Sequence, residues 1–336
     1  MVSLSSVSAS NSLISQVIPA GLVAVFFGGT SGIGEITVKT LAKYARSPRI
    51  YIVGRSQDAA DRILAECKAI NPAGEFTFMK ADVSLIKNVD QLSNEIKAKE
   101  KFLNLLFLSA GVANIDRARR IPKHPKTSEH LHLLAALNYY CRVRFIQNLL
   151  PLVQQAPGLR RVVTVGGGGH EGNLDPTDFQ ALRVPVPDLR EYLTTLVTLG
   201  LENVAKDAPE VSIVHNYPGT VKTPLLDSMP DEVLKTLTFL PLEECGERQV
   251  FMATSAKYPP VSGQNAGIPL VDGVNVAIGT TGEEGRGVYS VGVDCESASP
   301  TVREKLAGLR DRGMLDEVWR HTQGEFKRIM EDGSQA

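Results

Sequence analysis

"FGGTSGIGE", Phe27 to Glu35, is the stretch on which the fold turns. Before it runs "LVAVFF" (22 to 27), apolar and rich in strand formers; after it, apolar residues recur at three- and four-residue spacing over 34 to 45, as on a helix. The junction carries Gly28, Gly32 and Gly34 in the spacing GxxxGxG. A strand that must turn at once into a helix, with a pyrophosphate against its backbone, needs glycine there because a Cβ would block the approach. Thr30, Ser31 and Ile33 complete the loop, and the first amides of the helix hold the phosphates. A tight turn with no ligand is the other reading of the same glycines.

Outward from this point the pattern repeats. Strands are expected at 22 to 27, 49 to 54, 75 to 80, 103 to 108, 160 to 165 and 211 to 216, with a last one near "GVYSV" (287 to 291). Helical spacing fills 34 to 45, 57 to 70, 87 to 100, 128 to 150 and 188 to 206. Strands alternating with helices specify an α/β fold, a doubly wound, Rossmann-type parallel sheet with right-handed crossovers. No repeat or linker divides the chain, so one domain is expected over 21 to 336, elaborated from 224 onward, after an N-terminal arm (1 to 20) bearing one short helix. In the tail, Leu306, Leu309, Leu315, Val318 and Trp319 form an apolar stripe broken at Gly313, which reads as a helix pair closing the core.

The chain has 336 residues, 43% of them hydrophobic, and 36 basic against 37 acidic side chains. Such a balance argues against a nucleic-acid partner. Cys67, Cys141, Cys245 and Cys295 are scattered, with no metal-ligand spacing, so neither a metal site nor a disulfide framework is expected. No apolar run reaches the roughly 18 residues of a spanning helix, and the serine-rich start lacks the make-up of a secretory signal. The expectation is a cytoplasmic protein with no membrane partner.

The second strand ends in "VGRS", where an acidic residue would ordinarily meet the ribose 2′-hydroxyl of a dinucleotide. Arg55 stands there and favours a 2′-phosphate, hence NADP as the cofactor. A surface arginine is the bland alternative.

"FGGTSGIGE", "ADVS" (81 to 84), "LSAG" (108 to 111), Asn138 in "ALNYY" and "PGTVKT" (218 to 223) together resemble the short-chain dehydrogenase/reductase family, in order and at its intervals. The match covers about residues 22 to 225, and the later chain is similar to a fungal branch found in secondary-metabolite pathways. The resemblance implies that Asp82 meets the adenine, that Ser109, Ala110 and Gly111 flank the ribose and floor the site, that Thr223 contacts the nicotinamide carboxamide or a phosphate, and that Pro218 and Gly219 also belong to the cofactor site. "LSAG" departs from the family's Asn-Asn-Ala-Gly, so the central strand must be supported differently.

The family's catalytic tetrad is largely missing. Its serine, at the tip of the fifth strand, falls on Gly167 in "VVTVGGGGH" (162 to 170). Of the eight tyrosines none is followed four residues later by lysine, and no lysine lies between Lys126 and Lys206. Asn138 survives. Tyr192, expected to face the cleft, and His170, able to act near neutral pH, are the candidate replacements, each weighed against a packed tyrosine and an idle loop histidine. Glu171 and Asp175 read as solvated charges, Tyr139 and Tyr140 as core, and His215 and Tyr217 as residues that can look into the pocket.

Three functions follow: an NADP-dependent oxidoreductase with a remodelled proton donor, a non-redox isomerase, dehydratase or cyclase on the same scaffold, or a nucleotide-binding subunit without catalysis. The apolar segments 170 to 188 and 224 to 260 imply a medium-sized hydrophobic small-molecule substrate. A homo-oligomer through the major helices is open, because the C-terminal extension competes for that surface.

Overall fold

The computed structural model describes residues 1–112, 126–227, 229–263 and 266–332. Seven strands form one parallel sheet: β1 (Val23–Phe27), β2 (Arg49–Gly54), β3 (Glu75–Lys80), β4 (Leu105–Leu108), β5 (Arg161–Val165), β6 (Ser212–Asn216) and β7 (Val288–Val291), in the order β3-β2-β1-β4-β5-β6-β7. The order reverses between β1 and β4, which opens a crevice beyond their carboxyl ends.

Alternation along the strands sorts the core into two layers. Val23, Val25 and Phe27 face one side, Ala24 and Phe26 the other. The first layer is covered by α4 (Ile86–Lys99), α5 (Cys141–Gln154) and α6 (Leu189–Lys206). The second lies under α2 (Gly32–Tyr44), α3 (Gln57–Ile70) and α7 (Leu242–Thr254), together with the arm helix α1 (Leu4–Ser12). The arm carries two helices rather than one, since Ile14–Val17 makes a further turn; Val7 and Ile14 are buried, and Asn11 Nδ2 donates to Glu247 O at 2.9 Å.

Two features differ from, or sharpen, the sequence pattern. The helix expected over 128 to 150 begins at Leu133 and widens into a π turn over Ala136–Tyr140 before α5. There Cys141 N–H bonds Ala136 O five residues back, while Leu137 O accepts from Arg142 Nε at 3.0 Å. A side chain has taken the carbonyl the α-helical ladder would have used. At the other end, Gly313 (φ +75°) separates α8 (Pro300–Asp311) from α9 (Met314–Asp332). Helix α9 lies on α6 and the π turn, with Thr322 Oγ1 2.6 Å from Tyr139 Oη and His321 Nε2 2.7 Å from Tyr140 Oη. Both tyrosines are core residues, as their sequence neighbourhood implied. Among the described residues no helix is long and apolar enough to cross a membrane.

Candidate active site

The end of β1 is built as a cradle. Gly28 holds φ +99° and Gly32 φ +55°, both in the left-handed region that favours glycine. A Cβ on Gly28 would run into the backbone of Ala110, and one on Gly34 into the Gly28 carbonyl. Ser31 caps α2 with no side-chain hydrogen bond, and the amides of Gly32 and Ile33 have no partner among the described residues. Such a helix start offers its donors and positive dipole to an anion. Thr30 packs on Gly54 at the end of β2, and Arg55 beside it is exposed. Ser109 Oγ donates to Gly28 O at 3.2 Å, Asp82 Oδ1 accepts from Ser84, and Gly111 is exposed at the tip beyond β4. Thr223 lies against Gly32, so the segment from Pro218 and Gly219 (φ +83°) folds back over the loop after β1. Of the residues singled out for a cofactor, Gly28, Thr30, Gly32, Gly34, Ser109, Ala110 and Thr223 therefore meet around the loop after β1, whose unpartnered amides fit an anion such as a dinucleotide phosphate, while Arg55 and Asp82 follow β2 and β3.

At the tip of β5 the chain makes a turn, with His170 N–H bonding Gly167 O at 2.9 Å and Gly169 at φ +83°. Glycine is required on packing grounds too: a Cβ on Gly167 would strike Thr194 Oγ1, and one on Gly168 the His215 carbonyl. Two side chains hold the turn from below. Gly167 N–H donates to His215 Nε2 at 3.3 Å and Gly169 N–H to Ser290 Oγ at 2.7 Å. Glu171, expected as a solvated charge, is only 1% exposed and receives Ser290 Oγ at 2.5 Å and Thr198 Oγ1 at 2.8 Å. Burial pushes its carboxyl above the usual range, against the pull of those hydrogen bonds. His215 is also buried and points down to α6 rather than into the crevice; burial, then the charge of Arg142, lowers it to about 3.

The Gly167–Thr194 contact fixes which face of α6 meets the β5 tip. Arg190, one turn before Thr194, shares that face, whereas Tyr192 stands about 200° around the helix from Arg190. Tyr192 thus faces the loop, not the cleft for which it was a candidate. Its hydroxyl donates to Asp178 O at 2.8 Å and Asp175 O at 3.0 Å, and receives Asp175 N–H at 3.3 Å. A cavity of about 540 Å3 opens on this side, lined by Asn173, Asp175, Arg183, Asp188 and Tyr192 among others. Burial holds the Tyr192 hydroxyl well above its ordinary value, which makes it a poor proton donor. Asp175 is exposed, as expected, and pairs with Arg183 at 3.3 Å.

On the cleft side, three residues meet around one ring. His170 stacks edge-on against Tyr217, centroids 4.9 Å apart at 88°, and the Arg190 guanidinium lies 4.3 Å from the same ring's centroid. Burial and the Arg190 charge hold His170 below its ordinary pKa, so its imidazole is neutral at pH 7. Asn138 sits in the π turn, where its amide donates to Leu134 O at 2.9 Å.

Sequence reasoning missed Arg190 and Arg142. Arg142 is 3% exposed and donates to Thr164 Oγ1 (2.6 Å), Val165 O (2.5 Å), Ala110 O (2.7 Å) and Leu137 O. It ties the tips of β4 and β5 to the π turn, which answers how "LSAG" is supported. Burial lowers its pKa to about 10, which still leaves it charged at pH 7. The available signal for Arg190 was its four-residue spacing to Thr194 and Thr198, which puts the three on one face of the helix.

Comparison with known proteins agrees with this fold. The family model for short chain dehydrogenase matches residues 22–171. Oxidoreductase andH of Emericella variicolor is 39% identical, over 98% of this chain and 98% of that protein. Short-chain dehydrogenase/reductase SAT2 of Stachybotrys chartarum is 31% identical, over 90% of this chain and 91% of that one. Among solved structures, the Pseudomonas aeruginosa RhlG/NADP active-site complex superposes with a TM-score of 0.54 at 19% identity, covering 76% of this chain and 96% of that chain.

Proposed function

The chain belongs to the short-chain dehydrogenase/reductase family, in its fungal secondary-metabolism branch, and we propose that it is an NADP-dependent oxidoreductase acting on a medium-sized hydrophobic substrate without the family's Ser/Tyr/Lys relay. The observation that supports this reading is the cradle after β1, whose helix start has no side-chain cap and leaves the Gly32 and Ile33 amides without a partner among the described residues, as an anion site requires. Gly28, Gly32 and Gly34 would admit the pyrophosphate, Thr30, Ser31 and Ile33 line it, and Arg55 would grip the 2′-phosphate. Asp82 would meet the adenine, Ser109, Ala110 and Gly111 the ribose, and Pro218, Gly219 and Thr223 the nicotinamide end. When bound, the dinucleotide supplies or accepts hydride.

The chain's own contribution is position and protons. Arg142 keeps the β4 and β5 tips in register around the π turn that presents Asn138. Neutral His170, held against Tyr217, is the group placed to exchange a proton with substrate. Tyr192 enters this reading as the strap of the 173 to 185 loop rather than as an acid.

A second reading, a non-redox isomerase, dehydratase or cyclase, is favoured by two observations: the space a β5 hydroxyl would take is filled by Thr194, and no ammonium stands on that face of α6. Incubating the protein with NADPH and candidate pathway intermediates, while following nicotinamide absorbance and product mass together, separates the two. Product formed without NADPH consumption excludes the redox reading. Binding of NADPH with no turnover of any intermediate points to a non-catalytic subunit.

A further inference from the structure

We propose that Arg190 is the anion-binding residue of the substrate site, and that the substrate is a hydrophobic organic acid whose delocalised oxyanion, a carboxylate or an enolate, docks on its guanidinium over the Tyr217 ring. The inference rests on taking the cleft beyond β5 and β6 as the substrate site.

The case begins with what Arg190 does not do. Among the described residues its guanidinium makes no hydrogen bond and has no carboxylate within 4 Å, although Asp188 and Glu191 are close in sequence. Neighbouring arginines are committed: Arg183 to Asp175, Arg144 to Asp90, Arg142 to carbonyls at the strand tips. Arg190 is nonetheless placed, because the Tyr217 face holds it at 4.3 Å and His170 braces that ring from the edge. Arg190 and His170 are exposed, so the guanidinium donors face solvent; a planar cation laid over a ring with no protein partner for its donors can meet a two-oxygen anion with parallel hydrogen bonds.

The location supports a ligand rather than a lattice of surface charges. Tyr217 leaves the end of β6, His170 follows the β5 turn, and Arg190 opens α6, so the three converge at the carboxyl edge of the sheet, where ligands of such folds bind. Apolar side chains follow in the chain: Leu240 and Val293 lie against Gly219, two residues after Tyr217, and Leu225 and Val233 are exposed on the segment beyond, while the Glu191 carboxylate acts on His170 from α6. An apolar body with one anionic head fits that combination.

Calorimetric titration of the full-length protein, with and without NADPH, tests this with four probes: benzoate and the cyclic 1,3-diketone dimedone as oxyanions, benzamide and cyclohexanone as neutral counterparts. The oxyanions are expected to bind at least about tenfold more tightly than the neutral probes. Binding of benzoate alone would specify a carboxylate and of dimedone alone an enolate, either of which supports the proposal. Arg190→Met should weaken the bound oxyanion about tenfold or more, and Arg190→Lys less, with melting temperature and NADPH affinity unchanged in both. Equal binding of anionic and neutral probes, absence of saturable binding by both acids, or unchanged oxyanion affinity in Arg190→Met would overturn it. NADPH affinity, read in the same samples, stands or falls separately, so loss of the redox reading and loss of this one are distinguishable.

Discussion

Glu171 and His215 share one hydroxyl: Thr198 Oγ1 lies 2.8 Å from Glu171 Oε1 and 2.9 Å from His215 Nδ1. The hydroxyl has a single proton to give. Donated to the carboxylate, it leaves Thr198 to accept from Nδ1–H, so His215 Nε2 keeps a lone pair for the Gly167 amide. The bonds close only around a neutral imidazole. They pass from α6 to the glycine turn, which is how a strand tip without side chains is kept in place, while Glu171 Oε2 is buried with no partner among the described residues.

Acid should attack this network first. A histidine held at about 3 against an ordinary 6.5 contributes stability that is present above pH 6.5 and lost as pH falls toward 3, at up to about 1.4 kcal/mol per pH unit. Urea midpoints from pH 7 to pH 4 should therefore fall more steeply in the native protein than in His215→Gln; equal slopes would mean that His215 takes up its proton without cost. Glu171 works in the opposite sense. Its raised pKa contributes stability present below 4.5 and lost as pH rises through the folded value, so Glu171→Gln should gain on the native protein with increasing pH.

Removing the guanidinium of Arg142 leaves four oxygens at the strand tips and π turn without their donor. A buried acceptor stripped of its partner costs about 1–3 kcal/mol, so Arg142→Met should lose about 3 kcal/mol or more in denaturant titration. Arg142→Lys should rescue little, because one ammonium cannot span the fork. A native-like midpoint in Arg142→Met would show that the tips hold themselves.

The cofactor cradle makes a two-part prediction for NADPH and NADH titrations followed by nicotinamide fluorescence. Gly34→Ala should abolish binding of both, since its Cβ runs into the Gly28 carbonyl. Arg55→Asp should weaken NADPH by about tenfold or more while sparing NADH, the worth of a charge-assisted contact to the 2′-phosphate. Equal affinity of the native protein for both dinucleotides would remove the NADP assignment.

Restoring a hydroxyl at the β5 tip should fail for packing reasons. In Gly167→Ser the new Cβ collides with Thr194 Oγ1, and overpacking of this kind costs about 1–3 kcal/mol. Adding Thr194→Ala should recover part of the melting temperature. Neither variant should gain carbonyl reduction, because no lysine follows Tyr192 at four-residue spacing on α6.

The strands and most helices were legible because their information is local: period-two and period-3.6 apolar spacing, and glycines where a backbone must bend or approach. The sheet matches that reading strand for strand, with ends trimmed by one or two residues at β1, β4, β5, β6 and β7. The π turn was not legible, since it depends on Arg142 reaching a carbonyl five residues back. Tyr192 illustrates the same limit: its place on the helix was clear, its direction was not.

By itself, the sequence determined the α/β architecture, the glycine-rich turn after β1 and the absence of any tyrosine followed four residues later by lysine, because each is a matter of residue type at a local position. Only the tertiary structure decided that Glu171 is buried, that Tyr192 straps a loop, and that Arg190 rather than Tyr192 shares the cleft with His170. Those facts depend on the rotation of α6 against β5, which the Gly167–Thr194 contact sets between residues 27 positions apart. A helix turns about 100° per residue, so one non-local contact reassigns every side chain along it.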